Sequence, residues 1–406
     1  MTATAAEPAL PPVPGLRLGA VAAGIRYPER LDLVALQLAP GSRVAAVFTR
    51  NAFCAAPVRV ARRHLAACGG AARLLLINTG NANAGTGEVG LRAALDCCTA
   101  AGAAAGLPAE TVLPFSTGVI GEDLPLSPIR AALPSLLARL RPDGWSEAAR
   151  GILTTDTRPK MAWREVRDGE RRYRLAGIAK GAGMLRPDLA TMLAFLASDA
   201  PLAQPLLETL LRRAVESSFH RITIDGDTST NDAVVLAASG DATPLENDPA
   251  SPLARAFGAA LESLCLELAQ ALVRDGEGAT KFVEIAVRGG ASARECLDVA
   301  FTIAHSPLVK TALFAGDANW GRVLAAIGRA GLAELDVAAV RIAVNDTLIA
   351  EGGARAASYS EEAGARAMAA PELRLAIDLG RGTARETVWT SDFSHDYVRI
   401  NAEYRS

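Results

Sequence analysis

Lysine is nearly missing from this chain. Lys160, Lys180, Lys281 and Lys310 are the four in 406 residues, and the other 38 of the 42 basic residues are arginine. Arginine therefore serves wherever any cation will do. A lysine that persists is a candidate for a task needing a compact ammonium rather than a planar fork. Charge of one sign is also missing: 42 basic and 44 acidic residues leave a net −2. No basic stripe stands out, which argues against nucleic acid as a partner, because phosphate binding needs clustered Lys and Arg. The six cysteines (Cys54, Cys68, Cys97, Cys98, Cys265 and Cys296) form no CxxC pair, and the histidines His64, His220, His305 and His395 are scattered. Reduced core thiols and no metal site are the expectation. No segment comes near the ~20 apolar residues of a membrane span. Met1–Pro14 is rich in Ala and Pro without a basic start or an apolar stretch, so it is expected to be a flexible leader, not a signal peptide. The expectation is a soluble, cytoplasmic protein without a membrane partner.

What is present is apolar bulk. Half the residues are hydrophobic, enough for a large core. At roughly 150 residues per domain the length suggests two or three domains, or two packed halves. Short apolar runs predict strands over Asp32–Leu38, Arg43–Phe48, Arg73–Ile77, Val112–Phe115, Thr191–Ala197, Arg221–Asp225, Ala233–Ala238, Phe282–Arg288, Val337–Val344 and Leu373–Leu379. Met161–Arg167 and Glu170–Ile178 flank Asp168-Gly169, a hairpin signal. Helical periodicity covers Gly90–Ala105, Ser127–Arg141 (kinked or broken at Pro134), Pro205–Ser217, Leu253–Arg274, Pro307–Phe314, Gly321–Gly328 and Ser360–Ala369. The class is α/β or α+β with mixed sheets and helices.

The segment richest in chemistry is Lys180–Asp199, KGAGMLRPDLATMLAFLASD. A Gly-rich turn and a Pro turn lead to Ala190-Thr191, which opens an apolar strand. A small residue before Thr at a strand start suits an N-terminal nucleophile. The hydroxyl attacks the preceding carbonyl, an ester forms, and water releases a new N-terminal Thr. Its α-amine, titrating near ~8, is a base placed beside the hydroxyl it must deprotonate. Ala-Thr at a strand start is also common without any such role. Leu113–Pro125, LPFSTGVIGEDLP, can present the Thr117 hydroxyl and the Gly118 N–H side by side as an oxyanion hole, or be an ordinary turn. TTDTRPK (154–160) can hold an amino-acid backbone, and Glu277 in DGEGATKFVE (275–284) can bind an ammonium; both can equally be solvated turns. Asn401 and Ser406 in the closing DYVRINAEYRS can complete a site or belong to a frayed tail.

Two motifs are decoys. GTGEVG (85–90) is a literal GxGxxG, but Asn78–Ala84 separates it from the nearest expected strand, whereas the dinucleotide fingerprint needs its glycines at the strand end. RITIDGDTSTND (221–232) is rich in Asp and Thr, yet lacks the spacing and closing Glu of an EF-hand. A structural Asx/Thr turn network is the expectation there.

The segment KGAGMLRPDLATML closely resembles the self-cleavage motif of the ornithine acetyltransferases (glutamate N-acetyltransferases) of arginine biosynthesis. VFTRNAFCAAPV (47–58), NTGNANAGTG (78–87), FSTGVIGEDLP, TTDTRPK, ITIDGDTSTND, GEGATKFVEI, SPLVKTALFAGDANWGR (306–322) and YVRINAEYRS resemble further family blocks in family order, over nearly the whole chain. The resemblance implies a two-lobed, layered, N-terminal-nucleophile-like fold. It implies cleavage between Ala190 and Thr191, with 1–14 a leader, 15–190 one chain and 191–406 the other, assembling as pairs of such heterodimers. It implies Thr191 as nucleophile, Thr117 and Gly118 as the oxyanion hole, and Thr154, Lys180, Thr191, Glu277, Asn401 and Ser406 as substrate contacts, with Thr155 an alternative to Thr154. N-acetylornithine would give its acetyl group to glutamate, without a cofactor; acetyl-CoA is an optional donor that no residue pattern decides. An amidase or aminopeptidase on the same scaffold shares the acyl-enzyme chemistry. Ala182 and Asp188 stand where the family pattern has Ser and Asn, departures that remove no hydroxyl or base the mechanism requires.

Overall fold

The computed structural model describes residues 9–186, 192–240 and 245–403. Packing divides the chain into two units. The first takes Met1–Gly181, Asp188–His220 and Thr228–Leu272; the second takes Ala182–Pro187, Arg221–Asp227 and Val273–Ser406. These units are drawn by packing and are distinct from the two chains that a cut after Ala190 would produce.

In the first unit, β1 (Leu16–Val21), β2 (Leu33–Leu38), β4 (Leu74–Asn81) and β5 (Val112–Val119) form a sheet in the order β1-β2-β4-β5. A second sheet runs β3-β9-β8-β7-β6, from β3 (Arg43–Phe48), β9 (Ala233–Ala238), β8 (Leu193–Ser198), β7 (Arg171–Lys180) and β6 (Lys160–Asp168). The two sheets face each other. Period-2 alternation sends Val34 and Leu36 of β2 into the shared core with Phe115, Ile178, Phe195 and Val235. Leu33 and Ala35 go to the opposite face, where they meet α1 (Ala56–Ala67), α2 (Gly87–Ala105) and α3 (Leu126–Ala138). Phe115 and Phe195 join the sheets edge to face, with centroids 5.1 Å apart. A short α4 (Trp145–Gly151) buries Trp145 in the same core. Across the second sheet, α5 (Gln204–Glu216) and α6 (Pro252–Arg274) cover the outer face. Gly177 of β7 leaves room for the Leu196 side chain of β8, which a Cβ would meet at 2.3 Å, while Leu264 and Leu268 of α6 stand 3.4 Å from that position. The central strands β8 and β9 are parallel and buried at every position, as strands covered on both faces must be.

The second unit is built on a sheet in the order β13-β12-β11-β14-β10-β15: β10 (Phe282–Gly290), β11 (Arg341–Val344), β12 (Thr347–Glu351), β13 (Ala354–Arg355), β14 (Glu372–Asp378) and β15 (Ala384–Ser391). Only β10 and β14 pair in parallel. One core gathers Val283 and Ile285 with Val299 and Ile303 of α7 (Ala293–Ala304), Val309 and Leu313 of α8 (Pro307–Ala315), Val323 and Ile327 of α9 (Trp320–Gly328), and Met368 of α10 (Glu361–Met368). The chain's last described element is α11 (His395–Ala402), with the Ser394 side chain accepting from the Tyr397 N–H.

Several expectations need correction. Arg221–Asp225 is no strand: a 3-10 turn covers Phe219–Arg221, and only Ile222 forms an isolated bridge, to Trp389. Val337–Ala339 is a 3-10 turn ahead of the strand Arg341–Val344. Pro134 lies inside α3 without ending it. The strand before GTGEVG runs on to Asn81, so the gap is shorter than the apolar run indicated. One helix does reach the length and mean hydropathy, 1.4, of a membrane span: Pro252–Arg274. Its apolar residues form the stripe Leu253, Phe257, Leu261, Leu264, Leu268 and Leu272, all buried, while Arg255 and Glu267 are exposed. That is the pattern of a helix lying on a sheet.

Candidate active site

Four strand ends of the second sheet meet at one edge. Lys180, the last residue of β7, pairs with Leu193, the first of β8, which pairs in parallel with Ala233, the first of β9. Lys160, the first residue of β6, pairs with Ala179. The register thus brings Lys160, Lys180, Met192 and Asp232 to the same edge. Of the expected nucleophile and cleavage site, Ala190 and Thr191 lie outside the described residues, as do Asp188 and Ser406.

Lys180 is 1% exposed and its Nζ donates to two hydroxyls, Thr117 Oγ1 at 3.1 Å and Thr154 Oγ1 at 2.7 Å. A hydroxyl that accepts from an ammonium still has its own proton to donate. The lysine thus turns Thr117 into an oriented donor. Its neighbour Gly118 has φ 139, and a Cβ there would stand 2.3 Å from the Gly80 carbonyl carbon. Only glycine allows β4 and β5 to close so tightly at this point. Behind Lys180 lies Asp156, its side chain fully buried. It binds Lys160 in a short ion pair and accepts from the Gly181 N–H at 2.7 Å and the Thr154 N–H at 3.1 Å. Burial alone would raise this carboxyl. The Lys180 and Lys160 ammonium groups and the Gly181 N–H outweigh it and hold Asp156 at about 2. Asp156 therefore stays ionised, compensates the two cations, and ties the backbone just after Lys180 to the loop carrying Thr154.

The second unit holds a separate constellation. Glu277 is 9% exposed; its Oε2 accepts from Asn401 Nδ2 at 2.8 Å, and its N–H donates to the Ala182 carbonyl at 2.7 Å. A Cβ on Gly183 would lie 2.3 Å from the Glu277 carboxylate, so the glycine is what lets that loop sit on it. Gly278 (φ 66) packs against the Tyr397 N–H, and its carbonyl accepts from Ser394 Oγ at 2.6 Å. The same loop is held from another side: Asp225 accepts from the N–H groups of Met184 (2.6 Å) and Leu185 (2.8 Å). Asn401 thus stands on a capped helix, not on a frayed tail.

The structure brings together Thr117, Thr154 and Lys180 in one unit, and Glu277 with Asn401 in the other. Thr154, not Thr155, places its hydroxyl on Lys180. Asp156, Asp232 and Asp225 were given no role from the sequence, and Lys160 was marked only as one of the four lysines. Asp156 and Lys160 sit in TTDTRPK, whose hydroxyls drew the eye. An acid one i,i+4 step ahead of one of the chain's few lysines was the available signal. In GTGEVG, Asn83 Oδ1 accepts from the Thr86 hydroxyl and its Nδ2 donates to the Gly90 carbonyl, so side chains fill the turn.

Enzyme chemistry by hydroxyl and ammonium groups at a sheet edge is the class this site defines. The ArgJ family matches residues 17–406. The chain is 52% identical over 400 residues to the arginine biosynthesis bifunctional protein ArgJ of Pseudomonas syringae pv. tomato, covering 98% of each chain. It is 54% identical over 395 residues to the protein of that name from Methylococcus capsulatus, covering 97% of this chain and 96% of that one. Among solved structures, the arginine biosynthesis bifunctional protein argJ of Bacillus halodurans is 39% identical with a TM-score of 0.49, over 52% of this chain and 98% of that one. An ornithine acetyltransferase of Mycobacterium tuberculosis, complexed with ornithine, is 32% identical with a TM-score of 0.38, over 43% and 92%. The chain belongs to the ArgJ family and is an enzyme of arginine biosynthesis.

Proposed function

We propose that this enzyme carries the acetyl group of N-acetylornithine to glutamate through an acetyl-Thr191 intermediate, after cutting its own chain between Ala190 and Thr191. Family membership supports the reaction. The observation that carries the mechanism is the Lys180 ammonium shared by the Thr117 and Thr154 hydroxyls, at the edge where β8 begins. The freed Thr191 amine takes the hydroxyl proton, and Oγ attacks the acetyl carbonyl. The oxyanion rests on Thr117 O–H and Gly118 N–H, a donor of this kind being worth ~3 kcal/mol in the transition state. Ornithine leaves with the proton, glutamate's amine attacks the ester, and Thr191 is restored. By family resemblance Thr154, Lys180, Glu277, Asn401 and Ser406 are substrate contacts, the Lys180 ammonium suited to a carboxylate and the Glu277 carboxylate to an ammonium. No cofactor takes part; acetyl-CoA is a second donor, in keeping with relatives named bifunctional. The cut chains stay together and pair as heterotetramers.

Intact mass under denaturing conditions, with N-terminal sequencing, tests the scheme. Two fragments are expected, one beginning Thr-Met-Leu-Ala-Phe, with Thr191→Ala giving one inactive chain. A wild-type chain that never cleaves, or an active Thr191→Ala, would sink it. Acetate released without acetylglutamate would make the enzyme a hydrolase.

A further inference from the structure

Among the described residues, Asp232 is a carboxylate at the strand edge that the scheme above leaves idle. It precedes Ala233, so the parallel register of β8 and β9 sets it beside Met192. Its Oδ1 accepts from the Met192 N–H at 2.9 Å. That nitrogen belongs to the peptide bond joining Met192 to Thr191. Its backbone carbonyl accepts from the Thr49 N–H at 3.0 Å, fixing it from the β3 side. Next to it, Asn231 Nδ2 donates to the carbonyls of Ala82 and Ser116, tying the start of β9 to the strand that bears Thr117. Asp232 is 1% exposed, and its second oxygen, Oδ2, has no hydrogen-bond partner among the described residues. A buried carboxyl is costly unless its hydrogen bonds do work for the fold or the site. A residue serving packing alone would be as well served by an apolar side chain.

We propose that Asp232 is a positioning residue for the nucleophile: its carboxyl grips the amide that follows Thr191 and fixes the start of β8 against Lys180. Burial pushes the carboxyl well above the usual carboxylate range, against the pull of the Met192 N–H, the Ser229 hydroxyl and the Lys180 ammonium. A fixed nucleophile serves both reactions of Thr191, cleavage and acetyl transfer, because each needs the hydroxyl at an attack angle on a carbonyl.

This inference rests on Thr191 being the nucleophile, and the test separates the two. Full-length Asp232→Asn and Asp232→Ala chains are made beside wild type and Thr191→Ala. Cleavage is followed by intact mass, folding by thermal melting, and kcat and KM for N-acetylornithine are measured on the matured fraction. Asp232→Asn keeps an oxygen that can accept from the Met192 N–H, so it should cleave and turn over within about threefold of wild type. Asp232→Ala should cleave and turn over on the order of 10²-fold more slowly, with KM little changed, because the nucleophile and not the substrate is displaced. Should Asp232→Ala fail to fold, Asp232→Ser, whose hydroxyl stops short of the amide, takes its place with the same expected loss. A folded Ala or Ser variant at wild-type rates overturns the role. So does a folded Asp232→Asn as slow as Ala, which would mean that ionisation, not the hydrogen bond, matters. If wild type itself never cleaves, the nucleophile assignment fails, whatever the Asp232 variants do.

Discussion

Two buried lysines, one in each unit, are put to different use. Lys180 and Lys310 are each 1% exposed and each donates to a threonine hydroxyl. Around Lys180 the acceptors are side chains from separate elements, Thr117 on β5 and Thr154 on a loop, with Asp156 behind. Lys310 instead bonds Thr390 Oγ1 at 3.0 Å and the Ser391 carbonyl, and lies 4.4 Å from the centre of the Phe393 ring. Burial drives Lys310 down to about 7, resisted by Asp392 and Asp225. Its partners, one hydroxyl, one backbone carbonyl and one ring, all lie on the stretch leading into α11. One ammonium orients hydroxyls whose protons remain available; the other pins a segment. Sequence scarcity marks both alike, and only their acceptors tell the chemical lysine from the structural one.

The largest expected effect comes from removing the chemical one. Lys180→Met and Thr117→Ala should each lower kcat on the order of 10²-fold or more, while Lys310→Met leaves cleavage intact and lowers the melting temperature instead. Equal losses of kcat from both lysine variants would erase the distinction. Lys180→Arg should not rescue, because a planar fork cannot occupy the place of a point donor between two hydroxyls.

Acid stability should separate the units next. His305 is held down at about 4, by burial first and then by Arg186, Lys310 and Arg329. Its unfolded value is 6.5, so the unfolded chain takes up a proton that the native state refuses. The contribution is therefore present above pH 6.5 and lost as pH falls through 4, on the order of 3 kcal/mol. Asp156, also depressed, contributes above its unfolded 3.8 and loses that as pH falls through about 2, on the order of 2 kcal/mol. Melting curves of His305→Gln should thus flatten the pH 4–6.5 limb, and those of Asp156→Asn only the limb below pH 4. Overlapping windows would refute the assignment.

Gly183→Ala comes third. The added methyl meets the Glu277 carboxylate, so KM for N-acetylornithine should rise about tenfold with a smaller change in kcat. An unchanged KM would separate Glu277 from the substrate. Smallest is Arg130→Ala: Arg130 and Asp96, both 52% exposed, form an ion pair 3.3 Å long. Its loss should shift stability by less than about 0.5 kcal/mol and activity not at all.

Much of the fold was legible because buried strands announce themselves. Arg43–Phe48 and Ala233–Ala238 match residue for residue, being short apolar runs between turn residues. The helix His395–Ala402 was not, because none of its residues is buried and its polar sequence carries no stripe. Arg221–Asp225 looks like a strand in composition, but Thr223 and Ile224 give their N–H groups singly to the Trp389 and Leu185 carbonyls instead of to one ladder. The site was legible mainly through resemblance. Lys180 meets Thr117 from 63 residues away, a distance no local motif encodes. Asp156 and Asp232 sit in hydroxyl-rich blocks that look like ordinary turns, and only sheet register sets them beside the lysine and the strand start.

The order of the second sheet has a consequence for the cut enzyme. Strands β8 and β9 come after Thr191 in sequence, yet they sit between β3 and β7, which come before it. A break at Ala190 would leave two strands of one polypeptide wedged between two of the other, each seam closed by six register pairs. Neither piece could build this sheet alone, although each keeps one whole sheet of its own. The two halves would be inseparable partners from birth, unable to trade places with halves from other molecules without unravelling. A damaged mature enzyme would then be replaced rather than repaired, because the covalent link that guided the first folding no longer exists.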